Sequence, residues 1–98
     1  MREFATPNKG ELIVVHPERI DIVETRLGVF RRTRITHAMS LVQSISRPPG
    51  SDSVTITIGM TIAGREMQKE YSYAALDAQG LFEAILANMP RSDGSGLF

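Results

Sequence analysis

The chain has 98 residues, 42% of them hydrophobic, which fits one folded domain and excludes a disordered chain. Its 11 basic and 11 acidic residues cancel, removing any general affinity for polyanions, and the lack of cysteine excludes disulfides and thiolate zinc sites. No apolar run approaches the ~18 residues of a membrane helix, and no charged, signal-like start precedes one. The chain is therefore expected to be soluble and cytoplasmic, peripheral at a membrane at most, or a soluble domain of a longer protein.

In chain order, residues 1–10 carry Pro7, Asn8, Lys9 and Gly10 without periodicity and are predicted to be a flexible lead. Residues 11–90 are predicted to form the single domain. Leu12, Ile13, Val14 and Val15 make a β-branched run buried on both faces or close to it. His16-Pro17-Glu18 breaks it, because proline cannot donate to a strand ladder. Residues 19–25 alternate, with Ile20 and Ile22 on one face and Arg19, Asp21 and Val23 on the other. Leu27-Gly28 is a turn. Residues 29–37 form a third strand, with Val29, Arg31, Thr33 and Ile35 on one face and Phe30, Arg32 and Arg34 on the other. Residues 39–46 read as a short irregular strand. Arg47-Pro48-Pro49-Gly50-Ser51-Asp52 is a surface loop.

The strongest strand signal is 54–62. Val54, Ile56, Ile58, Met60 and Ile62 alternate with Thr55, Thr57, Gly59 and Thr61, so five apolar groups share one face. Nothing charged interrupts this strand and it contains no proline, so it should be interior or covered by a second chain. Ala63-Gly64-Arg65 suits a hairpin turn, and 66–73 returns with Glu66, Gln68, Glu70 and Ser72 toward water. The period then changes to 3.6. Ala78, Leu81, Phe82, Ile85, Leu86 and Met89 form one stripe, Asp77 is the N-cap and Pro90 the stop. Gly80 is expected to mark close packing on the sheet. The expected core is Ile56, Ile58, Met60, Leu81, Phe82, Ile85 and Leu86, with Met39, Met60, Met67 and Met89 as filling. The Gly/Ser-rich stretch 91–98 is expected to be a disordered tail. The fold class is α+β: an antiparallel meander or partly open barrel of about six strands, capped by one C-terminal helix.

This order of elements resembles the bacterial pleckstrin-homology-like (PH-like) domains. The likeness rests on residues 11–15, 19–24, the basic strand 28–35, the segment Leu41-Val42-Gln43-Ser44-Ile45, and the ending Tyr71-Ser72-Tyr73 through Ala78, Leu81, Phe82 and Ile85. It spans about residues 11–89. The resemblance implies a bent antiparallel barrel, open at one corner and plugged by the helix. It implies a binding or scaffolding role more than catalysis.

Charge distribution supplies the candidate site. Residues 26–51 contain no Asp or Glu, yet hold Arg26, Arg31, Arg32, Arg34 and Arg47, with His37. Guanidinium forks match phosphate and carboxylate. The predicted partner is an acidic protein segment or an anionic lipid surface, with Arg31, Arg32 and Arg34 central and Arg26 and Arg47 at the rim. Nucleic acid is disfavoured, since only Phe30 offers a stacking ring in the block. The competing reading is that the arginines protect a sheet edge or pair with Glu24, Glu66 or Glu70. No cofactor, metal or catalytic site is predicted. His16 and His37 lack metal-ligand spacing, Ser40, Ser44 and Ser46 lack a nucleophile context, and Glu18, Asp21 and Glu24 do not share a strand face. Gly59 and Gly64 belong to no phosphate loop, and Tyr71 and Tyr73 are expected to seat the helix. A second function class is a structural or assembly subunit, a homo-oligomer paired through sheet edges.

Overall fold

Two tight turns organise the strands. Leu27 and Gly28 have φ of 54° and 72°, and Ala63 and Gly64 have φ of 53° and 77°. Two consecutive positive φ values give the two-residue turn whose twist matches the flanking strands. The computed structural model describes residues 1–90, so the expectation for 91–98 lies outside the described residues. The elements are β1 (Arg2–Ala5), β2 (Glu11–Val15), β3 (Arg19–Arg26), β4 (Phe30–Ala38), a short 3-10 turn (Met39–Leu41), β5 (Val42–Ser46), β6 (Ser53–Ile62), β7 (Arg65–Ala74) and α1 (Ala78–Asn88).

The fold is α+β: seven antiparallel strands in two sheets and one C-terminal helix, where about six strands were expected. The sheets run β1-β2-β3-β4 and β5-β6-β7, and within each sheet sequence neighbours pair. No strand pairing among the described residues joins the two sheets into a closed barrel. The extra strand is β1, which corrects the flexible lead: Phe4 pairs with Ile13 and is buried. Its signal in the sequence is one apolar residue, too short for any period.

The two strongest apolar faces meet as expected. Val54, Ile56 and Ile58 of β6 pack with Ala78, Leu81, Ala84 and Ile85 of α1 in one core, joined by Phe4, Ile13, Val15, Ile20, Ile22, Met39 and Val42. α1 contacts β2 of the first sheet and both β5 and β6 of the second. β6 is interior, but β5 covers it only from Thr55 to Ile58. The burial of its apolar row stops there too. Met60, Ile62 and Met67 are exposed, and so is Leu86 on the helix. This corrects Met60 and Leu86 as core residues and Met60 and Met67 as filling; Phe82 is half-buried. An alternating strand shows which side faces inward, not how far its cover extends.

Asp77 caps α1, its Oδ1 accepting from the Gly80 amide at 3.0 Å. A Cβ on residue 80 would collide with that carboxylate, so Gly80 makes room for the cap and not for the sheet. No helix among the described residues is long and apolar enough to cross a membrane.

Candidate functional site

Arg31, Arg32 and Arg34 sit on β4, the edge strand of the first sheet, and Arg26 ends the neighbouring β3. Its geometry depends on a bulge. Ile22 pairs with Ile35, but Val23 pairs with Thr33, so Arg34 is an extra residue on β4. A bulge of this kind shifts the side-chain alternation and bends the strand. The expected faces are therefore corrected. Ile35 and His37 share a face with Arg32 and Phe30, while Arg31 and Thr33 lie on the opposite face with Val23.

Arg26, Arg32 and Arg34 line one concavity with Glu24 and Thr33, about 270 Å³ in volume. Arg31 is not part of it. It points from the other face to Glu3, with 3.1 Å between Nη1 and Oε2. Arg47 is also elsewhere: its Nε donates to the Ser51 carbonyl at 3.1 Å and its Nη1 to Gln79 Oε1 at 2.9 Å, tying the β5–β6 loop to α1. Of the five predicted site residues, the structure brings three together. Arg31 is not central, and Arg47 is a loop anchor.

Two acids that the sequence reading did not place in the site complete it. Glu11 and Glu24 stand directly opposite each other on β2 and β3. Like charges so placed repel. Arg34 Nη1 meets Glu11 Oε2 at 3.1 Å, and Arg26 Nε meets Glu24 Oε1 at 2.8 Å. The Arg26 hydrogen bond holds the Glu24 carboxyl below the usual carboxylate range, and the nearby charges of Arg34 and Arg32 add to the effect. Glu24 was an anticipated ion-pair partner; Glu66 and Glu70 form no ion pair among the described residues. Arg32 faces Glu24 across the strands yet has no ion pair among the described residues. Three guanidiniums against two carboxylates leave an uncompensated positive charge, carried at Arg32.

Behind the arginines lies a polar contact that the sequence reading missed. His37 is buried, with its ring 4.5 Å from Tyr71 and 5.7 Å from Tyr73. Burial pushes the His37 pKa down and the Tyr73 pKa up to about 12. The tyrosine hydroxyl thus keeps its proton, and it shares a hydrogen bond with His37 Nε2 whose direction follows the imidazole tautomer. Tyr71 and Tyr73 pack on the core edge around a histidine that spans from one sheet to the other. A histidine next to a polar threonine gives no pattern from which this is readable.

On the outer face of the first sheet, Asp21 is buried and fully engaged. It accepts from Arg19 Nε at 3.0 Å and from Thr36 Oγ1 at 2.9 Å, with His16 Nε2 at 3.3 Å. Among the described residues no three His, Cys, Asp or Glu side chains group to hold a metal ion.

Comparison with known proteins finds no matching family model, no matching curated protein and no matching solved structure.

Proposed function

We propose that this chain is a non-enzymatic PH-like binding module that docks an anionic partner in the concavity of Arg26, Arg32 and Arg34. The observation that carries the reading is Arg32: its two neighbours are each held by an acid, while its own guanidinium is left for a ligand. A phosphate or carboxylate there can draw on Arg32 first. It can then compete with Glu11 and Glu24 for Arg34 and Arg26, because exposed ion pairs are weak and exchange readily. The PH-like part of the reading is supported by the element order, a four-stranded and a three-stranded meander followed by a helix.

The test is binding to anionic vesicles and to polyglutamate, at low and high salt. The expected result is binding that fades as the Debye length shrinks from about 10 Å at 0.1 M to about 3 Å at 1 M. An Arg32→Glu, Arg34→Glu variant should bind neither probe, and Arg47→Glu should bind as the parent does. Equal binding by parent and double variant, or none by either at low salt, would leave the arginines as protection for a sheet edge.

The assembly reading has its own observation. The outer part of β6, Gly59 to Ile62, has no β5 partner, and β4 and β7 are long edges of nine and ten residues. Oligomer size rising with concentration, independent of salt, would favour it.

A further inference from the structure

The tip of the β3–β4 hairpin has features that folding alone does not explain. Leu27, Val29 and Phe30 are 86, 74 and 65% exposed. Leu27 also holds a left-handed backbone, φ 54°, at a turn position that asparagine or glycine takes with less strain. Each feature counts against the isolated fold: apolar groups gathered in water, and a bulky residue in a sparsely allowed region. Arginines flank the tip on both strands, and Arg26 and Arg32 line the concavity next to it.

We propose that the anionic partner is a lipid bilayer, and that this tip is a wedge that enters its interface. The inference rests on the reading that the arginine concavity takes an anion. Shape decides for lipid over protein. A protruding two-residue turn needs a matching pocket in a protein, whereas the boundary between headgroups and acyl chains accepts any apolar wedge. With Leu27, Val29 and Phe30 at that boundary, the arginines one or two residues along each strand stand at the level of the lipid phosphates. The acid-free run from 26 to 51 puts no carboxylate on the tip itself. Apolar insertion and charge attraction together supply the two signals that stable yet reversible membrane binding requires.

The chain contains no tryptophan, so Phe30→Trp adds a single indole reporter at the tip. The probes are phosphatidylcholine vesicles with and without phosphatidylserine, and polyglutamate in solution. With phosphatidylserine present, the indole emission should shift to the blue and be quenched by brominated acyl chains. Leu27→Asn should melt no lower than the parent, yet bind these vesicles about tenfold more weakly. A stabilising change that weakens binding separates the wedge from a structural role. Leu27→Asn binding as tightly as the parent, or an indole that stays in water while vesicles bind, overturns the wedge and leaves the arginine site standing. So does salt-sensitive binding of polyglutamate with none to vesicles. A Leu27→Asn variant that melts lower would assign Leu27 to the fold and also overturn the proposal. Binding to neither probe defeats both the wedge and the arginine site.

Discussion

The side chain of Gln43 occupies the space where a Cβ of residue 59 would stand. Gln43 is the extra residue of a bulge, since Val42 pairs with Ile58 and Ser44 with Thr57. Its amide lies over Gly59, and its Oε1 accepts from Gln68 Nε2 at 2.7 Å. One side chain thus crosses the central strand and links β5 to β7. Gly59 is the place in the alternating strand where another residue passes.

Gly59→Val should therefore displace Gln43 and cost about 1–3 kcal/mol, the range for forced overpacking. Gln43→Ala in the Gly59→Val background should recover most of the loss. Urea unfolding of the two single variants and the double variant checks the coupling, which additive values would disprove.

The helix should be held mainly by Leu81 and Ile85, which are 1 and 2% exposed. Alanine at either site is expected to cost about 2–5 kcal/mol, a large part of the stability of a small domain. Phe82→Ala should cost less than either, because Phe82 is half-buried, and Leu86→Ala less again. Thermal melts of the four variants give the order.

Ala63 takes the first position of the β6–β7 turn with φ 53°. Ala63→Asn should stabilise the fold by roughly 1 kcal/mol, since asparagine tolerates the left-handed region that alanine resists. No loss of vesicle binding should accompany it, in contrast to Leu27→Asn. A lower melting temperature would show that the turn is held by contacts beyond its own backbone.

Stability should fall in mild acid. Burial depresses the His37 pKa below its ordinary 6.5, so the unfolded chain takes up a proton before the folded one does. The contribution is present above pH 6.5 and is lost as pH falls through the folded value. Protonation would also make both ring nitrogens donors, so that His37 could only donate to the Tyr73 hydroxyl. The double variant His37→Phe, Tyr73→Phe removes donor and acceptor together and should flatten the melting profile just below pH 6.5. An unchanged profile would assign the acid sensitivity elsewhere.

Regular periods made much of this architecture readable. Val54, Ile56 and Ile58 declared an inner strand, and Leu81 and Ile85 declared a helix face, because each sits in an unbroken pattern of period two or 3.6. Burial depth was not readable at Met60 or Leu86, since it depends on where a neighbouring element stops. The basic block was visible as composition. Which arginines converge was not, because the bulge at Arg34 reverses the faces and no local pattern marks it. The roles of Glu11 and His37 arise only from cross-strand and cross-sheet neighbours.

Within each sheet every strand pairs with its sequence neighbour, which has a kinetic meaning. Each sheet can zip from its own tight turns at small loop-closure cost. The helix packs against β2 of one sheet and β6 of the other, so it finds its full seat only after both have formed. Closure by α1 is then the late event on the folding path. Substitutions at Ile85 should speed unfolding and leave the folding rate nearly unchanged, while Gly28→Val in the β3–β4 hairpin should slow folding. Stopped-flow chevrons of the two variants distinguish this order from one in which the helix forms part of the nucleus.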